Sequence, residues 1–411
     1  GYLMGYVVIA EVLMPLYYRL DLTSIYGYLK DRFGPVSYKT GASYFLLSRT
    51  IGSSFRLYLV AIVLQKFVMD AYGVPFWATV CVTIVLIWIY TFRGGIRTIV
   101  YTDTIQTVSM LTAVALTIWS IGGEMDLTPG EIVTTVSESD YGQMFFFEEG
   151  WSDPNNFFKQ FLSGALITIV MTGLDQDMMQ KNLSCRNIGA AKKNMYTFCI
   201  ILVFANALFL TLGALLYIYA GEIGLEIPAQ TDQLYPTIAL EHLPPYIGII
   251  FVIGLIAAAY SSADSALTSL TTAFCVDFLG FERSDKSERS KKFTRILVHV
   301  GFSIVFLSIV IIFNAVSDTD VITQLFIAAG YTYGPLLGLY SFGLLTGRNV
   351  RDKWVVVVCL IAPVLSYIFN AYSDEWFGGL KLGFLILALN GLLTFIGLLL
   401  ISKKPHLGGK A

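Results

Sequence analysis

Charged residues are scarce in this sequence, making up only 14% of its 411 residues. A soluble globular domain carries about 25% charged residues, so the chain has too few of them to cover a surface that faces water. Hydrophobic residues reach 55% instead, and they occur in runs of about 20, the length at which a helix crosses the hydrocarbon of a bilayer. The composition therefore predicts an all-α polytopic membrane protein surrounded by lipid.

Cysteine and histidine are also scarce, with five and three residues scattered along the chain. No CxxC pair occurs, so we expect neither a disulfide framework nor a transition-metal site. We recognise no phosphate-binding loop or Ser-His-Asp pattern, and we expect neither an enzyme nor an organic cofactor. The net charge of −2 gives no reason to expect a nucleic acid as partner.

Eleven apolar segments are long enough to span a membrane. They cover residues 1–18, 38–69, 75–92, 96–122, 159–178, 194–220, 245–277, 293–314, 321–346, 354–371 and 380–402. No linker separates soluble domains, so we expect residues 1–411 to form a single transmembrane domain. The sequence opens within an apolar run without Met or a polar leader, and we expect that the N-terminal part of the protein is missing.

Lysines and arginines divide unevenly between the two sides of these spans. Of the 27, two lie within the second span and 22 lie on one side, and the three on the other side are Lys66, Lys159 and Lys381. Basic residues are enriched in cytoplasmic loops. We therefore expect a multi-pass protein of the cell's inner (plasma) membrane, with its C-terminus in the cytoplasm.

Five ionisable residues are expected at membrane depth, where a charge is costly unless it has a partner. They are Glu11, Arg49, Arg56, Asp103 and Asp264, and Asp175 and Asp177 lie near the cytoplasmic end of a span. Glu11 and Arg49 lie at comparable depth by the rise of a helix, so we expect them to pair. This leaves Arg56 freer to contact a solute, with an ion pair or a carbonyl contact as the alternative.

The seventh span carries a dense group of hydroxyls, in the segment AAAYSSADSALTSLTT at 257–272. Ser261, Asp264, Ser265 and Thr268 have the spacing of one helix face. Together they form a set of hard oxygen ligands suited to a small cation such as sodium. The alternative is close packing between helices, which membrane proteins achieve with the same small and hydroxylated residues.

The ninth span contains Gly330, Gly334 and Pro335. Proline removes one backbone hydrogen bond from a helix. We therefore expect this span to bend or break, as helices of transporters often do.

Five segments resemble signature elements of the sodium/solute symporter family, in the family's order and spacing. They are LTSIYGYLKDRFG (22–34), YTFRGGIRTIVYTDTIQ (90–106), DQDMMQKN (175–182), AAAYSSADSALTSLTTAFCVDFLG (257–280) and YGPLLGLYSFGLLTGR (333–348). The DQDMMQKN element differs from the family pattern in having Lys181 where arginine is usual. The resemblance covers essentially the whole chain.

This resemblance implies the leucine-transporter-type fold, with two inverted repeats of five helices. Residues 1–122 would be the remainder of the first repeat, 159–346 the second repeat, and 354–402 two extra C-terminal helices. The first core helix of the first repeat would be missing. About eleven transmembrane helices would be present.

The resemblance also implies a main sodium site. In the family, a backbone carbonyl and two adjacent hydroxyls on one core helix bind the ion. The matching positions here are Ala258, Ser261 and Ser262. Sodium is therefore the expected coupling ion.

A second cation site is implied by relatives that use the aspartate of the WTD element. Its residues here would be Asp103, Ser261, Asp264 and Ser265. A hydroxyl is usual in the family at the position of Asp264, so two carboxylates would face one ion, which raises the possibility of proton involvement. The alternative for Asp103 is a cap at its helix N-terminus.

The implied function is sodium-driven secondary active symport of a small organic solute by alternating access. The alternatives are a proton-coupled symporter of the same fold, a membrane sensor or a channel. The solute could be a carboxylate, a sugar or a polyol. In sialate-transporting relatives an arginine on the helix matching the second span holds the substrate carboxylate; that position falls nearest Gly52, about one turn from Arg56.

Overall fold

The computed structural model describes residues 1–20, 22, 24–91, 96–147, 150–281, 287–316, 321–376 and 378–403. The described side chains exclude those of residues 90, 91, 96–103 and 259–261. Helices dominate, and the one β-sheet in the described part is a two-residue pairing of β1 (Asn349–Val350) with β2 (Ser402–Lys403).

The helices follow the apolar runs of the sequence. They are α1 (Tyr2–Leu20), α2 (Gly27–Arg32), α3 (Pro35–Tyr72), α4 (Phe76–Thr91), α5 (Ile96–Glu124), α6 (Pro129–Glu138), α7 (Phe157–Gly173), α8 (Gln176–Leu183), α9 (Ile188–Glu222), α10 (Pro245–Phe278), α11 (Glu288–Val316), α12 (Val321–Leu345), α13 (Asp352–Trp376) and α14 (Gly383–Leu400). Each predicted span has a helical counterpart, and the prediction of an all-α polytopic membrane protein is confirmed. Within the described residues, eight helices are long and apolar enough to cross a bilayer, and α7 with α8 makes a ninth.

The fifth predicted span is broken into α7 and α8, which meet at an angle of 68°. Backbone groups released by such a break need partners at membrane depth. Two tyrosines from the start of the chain supply them. The hydroxyl of Tyr17 donates to the carbonyl of Gly173 at 2.9 Å, and that of Tyr26 donates to the carbonyl of Leu174 at 2.8 Å.

The ninth predicted span, in contrast, runs as the single helix α12 across Pro335. Of the expected bend or break, the break is therefore wrong at this position. Pro335 cannot donate to the carbonyl of Tyr331, four residues earlier. The side-chain amide of Asn390 on α14 donates to this carbonyl at 2.8 Å and to that of Gly330 at 3.1 Å. A neighbouring helix thus supplies the hydrogen bond that proline removes.

Arg32, the last residue of α2, caps the C-terminal end of α12. Its guanidinium donates to the carbonyls of Gly343 at 3.3 Å, Thr346 at 2.7 Å and Arg348 at 2.8 Å. The last carbonyls of a helix have no partner within the helix, and they carry its partial negative charge. A guanidinium suits this place because it presents several donors in a fixed fork.

Asp352, at the start of α13, caps the N-terminal end of α3 in turn. Its Oδ2 accepts from the backbone N–H of Val36 at 2.9 Å, and its Oδ1 accepts from the N–H of Ser37 at 2.8 Å. Gly34 adopts φ of 140°, and a Cβ there would lie 2.5 Å from Asp352 Oδ2. The two caps tie the α2–α3 corner to the ends of α12 and α13.

Candidate functional site

An arginine and two aspartates are paired in the interior, where α3 faces the start of α8. Arg49 Nη2 lies 2.5 Å from Asp177 Oδ2, and Arg49 Nη1 lies 3.8 Å from Asp175 Oδ2. All three residues are buried. A buried charge is costly unless another charge or a hydrogen bond compensates it, so this arrangement explains how three charges are accommodated among membrane-spanning helices.

The break between α7 and α8 positions both aspartates. Asp175 is the N-cap of α8, and its Oδ1 accepts from the N–H of Met178 at 3.1 Å. Its Oδ2 accepts from the hydroxyl of Tyr333 on α12 at 3.0 Å. Asp177 lies in the first turn of α8, where the partial positive charge of a helix N-terminus stabilises carboxylates.

Ser265 on α10 joins this group from the other side. Its hydroxyl lies 2.8 Å from Asp177 Oδ2 and 2.9 Å from Oδ1, and donates to that carboxylate. Lys181 Nζ on α8 donates to Ser265 Oγ at 3.1 Å. We call the resulting set the central polar cluster, which consists of Arg49, Asp175, Asp177, Lys181, Ser265 and Tyr333. Side chains from α3, α8, α10 and α12 therefore converge at the broken span.

The predicted pairing of Glu11 with Arg49 is wrong. Glu11 Oε2 lies 2.6 Å from Lys192 Nζ, and Glu11 Oε1 accepts from the hydroxyl of Tyr196 at 2.7 Å, both on α9. Comparable depth does not determine which side of a helix a residue faces, and Glu11 faces α9 whereas Arg49 faces α8. The sequence did contain a signal for the partner of Arg49: the run DQD at 175–177 carries two carboxylates near the end of a span.

The residues predicted to bind cations are only partly visible. The side chains of Asp103 and Ser261 lie outside the described part of the chain. Ala258 and Ser262 are half-buried on α10, whereas Asp264 and Ser265 are buried, with exposures of 2% and 7%. The hydroxyl of Thr268 donates to Asp264 Oδ1 at 3.4 Å. Ser265 thus connects the predicted cation site to the central polar cluster, which sequence reasoning did not foresee.

Arg56 and Gly52, the predicted substrate contacts, line one narrow cavity between α3 and α12. Ser53, Thr332 and Tyr333 also line it. The cavity has room for about one water molecule. A Cβ on Gly52 would meet no atom within 4 Å, so the helix surface beside Arg56 is open.

The comparisons with known proteins agree with this architecture. Residues 1–352 match the model of the sodium:solute symporter family. The sodium/sialic acid symporter NanT of Aliivibrio fischeri is 27% identical over 403 residues, covering 93% of this chain and 75% of that protein. The sodium-coupled monocarboxylate transporter 1 of Mus musculus is 26% identical over 352 residues, covering 82% of this chain and 55% of that protein.

A solved structure shows the same fold. It is a Na+-coupled sialic acid symporter in a substrate-bound, outward-open state, with a TM-score of 0.77 and 21% sequence identity. The match covers 97% of this chain and 82% of that chain. The expected leucine-transporter-type fold is confirmed.

Proposed function

Because this chain belongs to the sodium:solute symporter family, its function is sodium-coupled solute symport by alternating access, and we propose that the solute is a small organic carboxylate. The family and the relatives are transporters that use sodium. The expectations of sodium as coupling ion and of a protein that is not an enzyme are therefore confirmed. Neither a channel nor a sensor is needed to explain the chain.

The proposal of a carboxylate rests on Arg56. Arg56 lines the narrow cavity together with Gly52, and within the described part of the chain it forms no ion pair. Arg49, about two turns earlier on the same helix, already pairs with two aspartates. A cation at membrane depth that forms no ion pair with the described residues is suited to an anionic ligand. The two relatives named above transport sialic acid and monocarboxylates, which both carry this group.

Uptake into proteoliposomes by the full-length protein tests this proposal. Under an inward sodium gradient, carboxylates should be taken up, and the neutral amides, sugars or polyols of similar size should not. Arg56→Gln should abolish the preference for the charged form, and Arg56→Lys should retain part of it. Arg186→Gln, which changes an exposed arginine outside the cavity, is the matched control. Equal uptake of neutral polyols, unaffected by Arg56→Gln, would refute a carboxylate solute.

For the ions, we propose the sites that the family resemblance implies. The main sodium site would consist of Ala258, Ser261 and Ser262, and the second cation site of Asp103, Ser261, Asp264 and Ser265. Burial of Asp264 and Ser265 supports the second site, because it places a carboxylate and a hydroxyl, both oxygen ligands for a small cation, at membrane depth. Ser265 contacts Asp177 on α8, the second half of the broken span. This contact would connect ion binding to the break between α7 and α8.

For the arrangement in the membrane, we propose a plasma-membrane protein with a cytoplasmic C-terminus. The uneven distribution of lysine and arginine supports this orientation. We also propose that residues 1–122 belong to the first repeat, 159–346 to the second, and 354–402 to two extra helices. The close association of α14 with α12, through Asn390, fits a supporting role for the last pair.

A further inference from the structure

Lys181 reaches from α8 to the oxygen of Ser265, a residue of the second cation site proposed above. Lys181 is an exposed residue, whereas Ser265 is buried, so the side chain extends inward from an accessible position. We propose that the Lys181 ammonium is a tethered competitor of sodium: it occupies Ser265 Oγ when sodium is absent and withdraws when sodium binds. This inference rests on the proposed second cation site and deepens it.

The hydrogen bonds of Ser265 explain why the two cations would compete. A serine hydroxyl has one hydrogen and two acceptor lone pairs. The hydrogen is directed at the carboxylate of Asp177, with distances of 2.8 and 2.9 Å. Only lone pairs remain for a cation, and Lys181 Nζ uses one of them at 3.1 Å. A sodium ion on Ser265 would therefore meet a second positive charge at the same oxygen.

The helix α8 determines where the Lys181 ammonium lies. Lys181 follows Asp177 by four residues, so the two side chains lie on the same face of this helix. Asp177 is held by Arg49 at 2.5 Å. Lysine also suits this role better than the arginine usual in the family, because its ammonium is a compact point charge on a flexible stem whereas guanidinium is a planar fork.

The exposed stem allows the ammonium to leave without movement of the helix. Its withdrawal would give sodium access to Ser265, and its return would replace the positive charge as sodium departs. The carboxylate of Asp177, which accepts from Ser265, would then keep a nearby cation in both states. The consequence for transport is that Lys181 lowers the apparent affinity for sodium and favours its release.

Equilibrium binding of radioactive sodium to the purified full-length protein tests this proposal without requiring a known solute. Lys181→Met should lower the sodium concentration for half-maximal binding about tenfold, the equivalent of one charge-assisted hydrogen bond. Lys181→Gln should act in the same direction, which guards against a folding defect in one variant. Lys193→Met, which neutralises an exposed lysine on α9, should leave sodium binding unchanged.

Ser265→Ala supplies the decisive comparison, because it removes the contested oxygen. In the Ser265→Ala background, Lys181→Met should change the sodium dependence of binding very little, since the effects of two mutations that remove the same contact are not additive. A gain in sodium affinity is also a result that simple structural damage would not produce. Unchanged or weakened sodium binding in both neutral variants, or an equal gain with and without Ser265, would overturn the competitor role. Absence of sodium binding by the unmodified protein would instead refute sodium symport itself.

Discussion

Arg49 and Asp177 form an ion pair of 2.5 Å in the interior of the helix bundle, although 128 residues separate them in the chain. Arg49 belongs to the long, uninterrupted helix α3, and Asp177 belongs to α8, the second half of the broken span. The pair therefore fixes the broken helix against a continuous one. Asp175 lies close enough to share the arginine, at 3.8 Å.

We expect Arg49→Met to destabilise the protein more than Asp177→Asn does. Loss of the arginine leaves two buried carboxylates without their ion-pair partner, whereas Asp177→Asn leaves Arg49 facing Asp175. Breaking a buried pair from one side costs about 3–5 kcal/mol. Thermal unfolding of the purified protein measures the difference. Equal melting temperatures for the two variants would contradict the sharing of Arg49 by both aspartates.

The positions of the helices could be predicted from the sequence because a run of about 20 apolar residues is a local signal. The direction in which each residue faces is not local. Glu11 was expected to meet Arg49 and instead meets Lys192, since depth alone does not specify a helix face. The central polar cluster was missed for the same reason.

The break in the fifth span could not be predicted either. No proline marks it, and its free carbonyls are satisfied by Tyr17 and Tyr26, which lie about 150 residues earlier in the chain. The opposite error occurred at Pro335, where the sequence predicts a bend or a break. The helix α12 continues there as one helix, because Asn390, which lies far along the chain on α14, supplies a hydrogen bond. Both outcomes depend on hydrogen-bond partners that lie far away in the sequence, and a local sequence pattern does not contain them.

The main sodium site predicts that Ser261→Ala and Ser262→Ala raise the sodium concentration for half-maximal uptake. Each variant removes one proposed oxygen ligand from a site at membrane depth, at a cost of about 1–3 kcal/mol, which is several-fold to about hundredfold in affinity. Sodium-dependent uptake in proteoliposomes measures this shift. Ser308→Ala on α11, an exposed serine, is the control. An unchanged sodium dependence in both site variants would exclude the assignment.

Asp352 caps the N-terminal end of α3. We predict that removal of this cap lowers the stability of the protein but not its affinity for sodium. Asp352→Ala leaves the N–H groups of Val36 and Ser37 without their acceptor, and removal of an N-cap acceptor costs about 0.5–2 kcal/mol. We expect a lower melting temperature for Asp352→Ala, and a smaller effect for Asp352→Asn because the asparagine oxygen can still accept from one of the two N–H groups. Asp374→Ala, at an exposed position, is the matched control. A melting temperature as low for the asparagine variant as for alanine would count against capping as the cause.

The proposed orientation predicts which loops an impermeant thiol reagent reaches in intact cells. The segment 123–158 is acidic and is expected outside, and the segment 279–292 is rich in lysine and arginine and is expected inside. Ser137 and Ser287 are exposed positions in these two segments. In a variant without the five native cysteines, Ser137→Cys should be labelled in intact cells, and Ser287→Cys only after permeabilisation. The two single-cysteine variants control for each other, because a reagent that leaked into the cell would label both. Labelling of Ser287→Cys but not Ser137→Cys in intact cells would reverse the orientation and place the C-terminus outside.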